Sequence, residues 1–195
     1  PVTIAHKVVT ADRSDFANDV LYVEEPNRCA GIRVVYSGTE AAVRNATVDV
    51  TGTVKTLPSG ERWIDAGSNG ITIITPGEQV PTALGMPNRS LGGGDFNPLT
   101  LGVTTPLGSG LYNIGHLLKS WGKVTGVYPS EKCLYIHDGS VVDGSFNDGT
   151  GHADGVRISW DWQAEGNAIM ASLAGWYVSV AGISSMESPQ AGVHI

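Results

Sequence analysis

Two stretches decide the fold because they read alike: Val20-Leu21-Tyr22-Val23-Glu24-Glu25 and Cys133-Leu134-Tyr135-Ile136-His137-Asp138. Similarity extends outward from both. Upstream, Lys7-Val8-Val9-Thr10-Ala11 matches Gly122-Lys123-Val124-Thr125-Gly126. Downstream, Ala30-Gly31-Ile32-Arg33-Val34-Val35 matches Asp154-Gly155-Val156-Arg157-Ile158-Ser159. Further on, Ala46-Thr47-Val48-Asp49-Val50-Thr51-Gly52 matches Trp176-Tyr177-Val178-Ser179-Val180-Ala181-Gly182. Four blocks in one order are the signature of an internal repeat. They are rich in β-branched residues, alternate with period two, and are separated by Gly, Asn, Asp and Pro, so each reads as a strand.

The first copy continues into a fifth strand, Glu61-Arg62-Trp63-Ile64-Asp65-Ala66. In the second copy, Ile169, Met170 and Leu173 share one face of a short helix over residues 167–174. Three strands, a short helix and two strands is the order of an OB-fold, a small five-stranded Greek-key barrel. Hairpins of an ordinary sandwich imitate the strand order, and the helix favours the barrel. The expectation is therefore an all-β chain of two tandem OB-fold-like barrels. Residues 1–66 form the first, 67–115 a Pro/Gly-rich connector, 116–187 the second, and 188–195 a tail.

The blocks Leu21-Tyr22-Val23-Glu24-Glu25 with Gly31-Ile32-Arg33-Val34 carry a family resemblance. So do Trp121-Gly122-Lys123-Val124-Thr125, Tyr135-Ile136-His137-Asp138-Gly139-Ser140 and Gly155-Val156-Arg157-Ile158. They resemble bacterial secreted proteins carrying tandem OB-like modules, and the stretch Leu84 to Pro98 resembles their connector. The resemblance implies the fold and export, and it brings no catalytic residues with it. The first copy departs from the pattern at Glu24-Glu25-Pro26, where the second has His137-Asp138-Gly139-Ser140.

The connector is Pro- and Gly-rich yet apolar, with Ile71, Ile73, Ile74, Val80, Leu84, Met86, Leu91, Phe96, Leu99, Leu101, Val103 and Leu107. That content predicts a segment packed over both barrels and joining them, rather than a solvated linker.

The 195 residues carry 41% hydrophobic and 16% charged residues and a net charge of −7. No apolar run reaches the length of about 18 residues that would span a bilayer as a helix. The acidic balance disfavours nucleic acid, whose readers carry basic grooves. Low charge with 26 glycines suits an extracellular β-protein. The start at Pro1 reads as a processed mature chain or a fragment of a longer one.

No Gly-x-Ser-x-Gly, phosphate loop or His-Glu-x-x-His pattern occurs. The adjacent Glu24 and Glu25 point to opposite faces of a strand and cannot flank one glycosidic bond. Several residues invite a functional reading beside an ordinary one. Asp138, Asp143, Asp148 and Asp154 offer the hard oxygens calcium takes, although Asp-Gly pairs are also turn chemistry. Cys29 and Cys133 form a disulfide or stay as two thiols. Asn45 and Asn88 stand in N-glycan acceptor patterns. Tyr135, Trp160 and Trp162 are candidates for stacking on a ligand, with burial in the core as the favoured alternative.

At the ends, Val2, Ile4 and Val8, and Val193 and Ile195 in the tail, can add as strands to a neighbouring subunit. The alternative is that Val2–Thr10 is simply strand one. The functional expectation is a secreted, non-catalytic structural protein without cofactor, assembling with copies of itself into a filament or surface structure. The alternative is a binding module for an oligosaccharide, with single-stranded nucleic acid less favoured.

Overall fold

A computed structural model describes residues 1–16, 19–39, 42–77, 81–102, 110–140, 152–160, 172–186 and 193–194. The described chain is all-β, built on two sheets. The first holds β1 (Val2–Ala11), β2 (Val20–Glu24), β3 (Gly31–Tyr36), β4 (Thr47–Thr56), β5 (Arg62–Gly67) and β6 (Ile71–Thr75). Its order is β1-β2-β3-β5-β4, and β1 also pairs with β4, so five strands close into a barrel. β3 and β5 run parallel, and the other barrel pairs are antiparallel. Closure removes the exposed edges that would template aggregation. The barrel interior holds Val9, Leu21, Val23, Val34, Tyr36, Val48, Val50 and Ile64. These are alternate residues of their strands, as the period-two pattern requires.

The second sheet holds β7 (Leu84–Gly85), β8 (Leu117–Tyr128), β9 (Cys133–His137), β10 (Val156–Ser159), β11 (Tyr177–Ile183), β12 (Ser185–Met186) and β13 (Val193–His194). Its order is β11-β8-β9-β10-β13-β12, with β7 beside β8. Only Ser184 separates β11 from β12. Its core gathers Leu91, Ile114, Leu118, Val124, Leu134, Ile136, Val156, Ile158, Trp160 and Met186.

The two sheets share registers. Tyr22 faces Arg33, and Tyr135 faces Arg157. Arg33 faces Trp63 and Arg157 faces His194, each across a parallel pair. Lys55 faces Trp63, and Ser185 faces His194. The first-strand bulge falls between Val9 and Ala11 in one sheet and between Val124 and Gly126 in the other. At it, the Thr10 hydroxyl donates to the Tyr22 carbonyl at 3.4 Å, and the Thr125 hydroxyl lies 3.3 Å from the Tyr135 carbonyl while donating to the Asp154 carbonyl at 2.6 Å. Before the fourth strands, Asn45 and Gly175 both take the left-handed backbone, at φ 73° and 81°. Their N–H groups donate to the carbonyls of Val9 and Val124.

Several sequence expectations change. Residues 1–5 were expected to be available to a neighbour, but Val2, Thr3 and Ile4 pair with Gly52, Thr51 and Val50 of β4. Their main-chain groups on that side are engaged within the barrel, and β1 runs unbroken from Val2 to Ala11. In the first copy His6 is an extra residue at φ 56°, and its N–H donates to Asp49 Oδ1 at 2.7 Å. The span read as connector contributes β6 to the first sheet and β7 to the second. Leu91 and Ile114 within it are buried, whereas Phe96, Leu99 and Leu101 are exposed. Val80, Val103 and Leu107 lie outside the described residues. So does most of the expected helix, and residues 172–175 form a turn.

The sheets meet across a third apolar group, in which Ala11, Val20 and Tyr22 pack with Ile183 and Leu117. Gly31 and Gly115 touch backbone to backbone there. A Cβ on Gly31 would lie 2.4 Å from the Gly115 carbonyl oxygen, so only glycine fits this crossing.

Candidate ligand cavity

β2 stops at Glu24, opposite Val8 on β1 and Gly31 on β3. β1 runs on past that end to Val2, and residues 25–30 turn back instead of extending β2. The barrel wall therefore opens where β1 begins, and a cavity of about 390 Å³ lies there. Val2 and Ile4 of β1, Val23 of β2, Ile32 of β3, Val54 of β4 and Ile64 of β5 line it. Phe96, Tyr112 and Ile114, from the segment preceding β8, form the opposite wall. Small-molecule sites are concave, apolar and about 300–1,000 Å³, with a few polar groups that orient the ligand. β-barrel mouths are among their usual places.

The polar groups of the cavity fall into three sets. Lys7 and Glu25 form an ion pair at 2.9 Å and neutralise each other on one rim. Glu61, buried beside them, accepts from the Tyr22 hydroxyl at 2.8 Å and from the Met186 N–H at 2.9 Å. Burial, then the Glu61 charge, pushes the Tyr112 phenol up to about 12, and the same causes raise Tyr22 further. Both phenols are therefore neutral hydrogen-bonding groups at ordinary pH. Arg62 donates to the Thr56 hydroxyl at 2.6 Å, and the Arg33 Nε is buried without a hydrogen-bond partner. The Arg33 side chain hydrogen-bonds the Tyr22 phenol, so the Arg62 guanidinium is the one suited to gripping a carboxylate or sulfonate through paired N–H donors.

Next to the cavity Glu24 is 1% exposed and holds the two sheets together. Its carboxylate pairs with Arg28 and accepts from the Leu117 N–H at 2.5 Å. Arg28 also donates to the Leu117 carbonyl at 2.9 Å and the Thr82 carbonyl at 2.6 Å. Glu24 and Glu25 thus serve different partners.

The residues singled out from the sequence do not converge on one place. Val2 and Ile4 line the cavity, and Val8 is buried in β1. Val193 lies in β13, and Ile195 is outside the described residues. Tyr135 and Trp160, candidates for stacking, are 2% and 7% exposed and cannot present a ring face to a ligand. Trp162, Asp143 and Asp148 lie outside the described residues.

Both oxygens of Asp138 accept backbone N–H groups, from Asn88 and Ser140, each at 2.8 Å. Asp154 is exposed, and its carbonyl accepts from Thr125. Among the described residues, no group of three or more His, Cys, Asp or Glu could hold a metal ion.

Cys29 is exposed, lining the cavity, while Cys133 is buried in β9, so the disulfide alternative gives way to two thiols. Asn88 is fully buried, its amide donating to Ser120 Oγ and the Trp121 carbonyl. A glycan there would replace one of these two N–H donors and would have no path to solvent. Asn45 sits in the left-handed turn, its Oδ1 buried without a hydrogen-bond partner.

The sequence reading missed Glu61, Arg62 and Tyr112. No motif marks them, because strand ends and a distant segment bring them together. One signal was available: the short run from Glu24 to Gly31, which cannot extend β2 alongside all of β1. Comparison with known proteins finds no matching family model, no matching curated protein and no matching solved structure.

Proposed function

We propose that the protein is a secreted, non-catalytic binding module of two OB-like barrels, and that the first barrel takes an apolar small molecule carrying an acidic group. The observation that carries this is the cavity of about 390 Å³ at the start of β1, apolar on its walls and flanked by Arg33 and Arg62. The OB-like reading of both units is supported by the closed β1-β2-β3-β5-β4 order and by the registers the second sheet repeats. Export is supported by the low charge and high glycine content alone. Binding is preferred over self-assembly through the first residues, because Val2–Ile4 are already hydrogen-bonded to β4.

The test uses 1-anilinonaphthalene-8-sulfonate, an apolar ring system with one sulfonate, and its displacement by dodecanoate. One saturable site per chain is expected. Val54→Trp, which fills the cavity from an exposed rim position, abolishes it. Arg62→Ala weakens it about tenfold, the effect of losing one charge-assisted hydrogen bond. Unsaturable dye binding, or full affinity in Val54→Trp, overturns the proposal.

A further inference from the structure

The outer face of β8 and β11 differs from the rest of the acidic surface. Along β8 the exposed positions are Lys119, Trp121, Lys123 and Thr125. Along β11 they are Tyr177, Ser179 and Ala181. Register places Lys123 opposite Tyr177, Trp121 opposite Ser179 and Lys119 opposite Ala181. Residues opposite each other point to the same face, so these side chains form one two-row patch. Tyr177 is the diagonal neighbour of Trp121, at a spacing of about 7–8 Å. Small side chains beside Trp121 leave its indole open. Trp121, Trp176 and Tyr177 are 47%, 67% and 80% exposed, an unusual cluster on a surface. None of the exposed positions on either strand holds a carboxylate, although the chain carries a net charge of −7.

The first sheet supplies an internal control. By register, Ala5 stands where Trp121 stands, Thr47 where Tyr177 stands, and Thr3 where Lys119 stands. Ala46, fully buried, occupies the place of the exposed Trp176. The same strand pair therefore forms with Ala, Thr, Thr and Ala at these positions, so pairing does not require aromatic rings or a lysine at the matching places of the second sheet.

We infer that the β8–β11 face is a second binding surface, for an acidic polysaccharide. The C–H faces of pyranose rings lie on the electron-rich faces of Trp121 and Tyr177. Lys119 and Lys123, on either side of Trp121, meet the carboxylates of neighbouring sugars. Rings outnumber cations here. A nucleic acid carries a charge at every nucleotide and draws its affinity from many phosphate contacts, which two lysines on an acidic chain do not supply. The site is separate from the barrel cavity and does not rest on it.

Affinity electrophoresis of the full chain in gels containing polygalacturonate, neutral dextran or poly(dT) tests it. The expected result is retardation by polygalacturonate alone, at least tenfold weaker in Trp121→Ala and in Tyr177→Ala. Lys119→Gln/Lys123→Gln removes its salt dependence. Unchanged near-ultraviolet circular dichroism of the lysine variant verifies folding. No retardation by polygalacturonate, equal retardation by dextran, stronger retardation by poly(dT), or retention in both aromatic variants overturns the inference.

Discussion

Glu24 shows how much one residue joins. Its carboxylate has no solvent contact and is held by Arg28 from a turn at φ 62° and by the Leu117 N–H of the second sheet. Removing one partner of a buried ion pair costs about 3–5 kcal/mol, because the remaining charge is stranded. Arg28→Met is therefore expected to lower unfolding free energy by about 3 kcal/mol, read from the urea midpoint. The double change Arg28→Met/Glu24→Gln recovers part of that loss; a purely additive double variant removes the coupling. Asp138 makes a pH-dependent counterpart. Burial raises its carboxyl, but the Ser140 hydroxyl, the Asn88 and Ser140 N–H groups and the His137 charge outweigh burial and hold it below the ordinary carboxylate range. A depressed folded-state pKa stabilises above the unfolded value of about 4 and loses that stability as pH falls through the folded value. Asp138→Asn should therefore lower Tm at pH 7, with the gap closing as pH falls through the depressed folded-state value in a thermal melt series. A gap that is constant with pH would assign the effect to packing.

Among the elements, the paired strands were legible because apolar alternation and the Leu-Tyr and Gly-x-Arg patterns recur in both sheets. β2 and β9 each bury consecutive residues, Val20–Glu24 and Cys133–Ile136. The bulges were not legible, since Thr10 and Thr125 look like ordinary strand residues until a hydroxyl meets a carbonyl of the neighbouring strand. Nor was β6, whose Ile71-Thr72-Ile73-Ile74 looks like connector until β4 offers an edge. The turn before the fourth strand was half legible: Asn45 and Gly175 are both types that tolerate the left-handed backbone. β-branched residues do not tolerate it. Gly175→Val is expected to cost about 1–2 kcal/mol, and Asn45→Gly to be near neutral, both measured by urea unfolding. Equal losses in the two variants would show that the turns do not share this constraint.

At the scale of the molecule, the sheets are joined partly by residues of the span read as connector, Thr82, Tyr112 and Gly115 among them, and partly by contacts outside it. Glu24 and Glu61, buried residues of the first sheet, accept N–H groups of Leu117 and Met186 in the second. Ala11, Val20 and Tyr22 pack against Leu117 and Ile183. Gly31 and Gly115 cross at van der Waals contact. None of this could be read from the chain, because a carboxylate seeking a backbone N–H 93 positions away leaves no periodic trace. Its consequence is cooperative. Opening the second sheet strands two buried carboxylates of the first, so the native chain should melt in a single calorimetric transition with matching calorimetric and van't Hoff enthalpies. Gly31→Val places a side chain where the Gly115 carbonyl already lies, forcing the sheets apart while leaving each strand's own pairing intact. The crossing then no longer transmits the loss of one sheet to the other. Two resolved transitions are expected in that variant, the barrel melting with the dye-binding cavity and the second sheet without it. A single transition lowered in Tm as a whole would place the coupling in the segment over residues 81–102 instead.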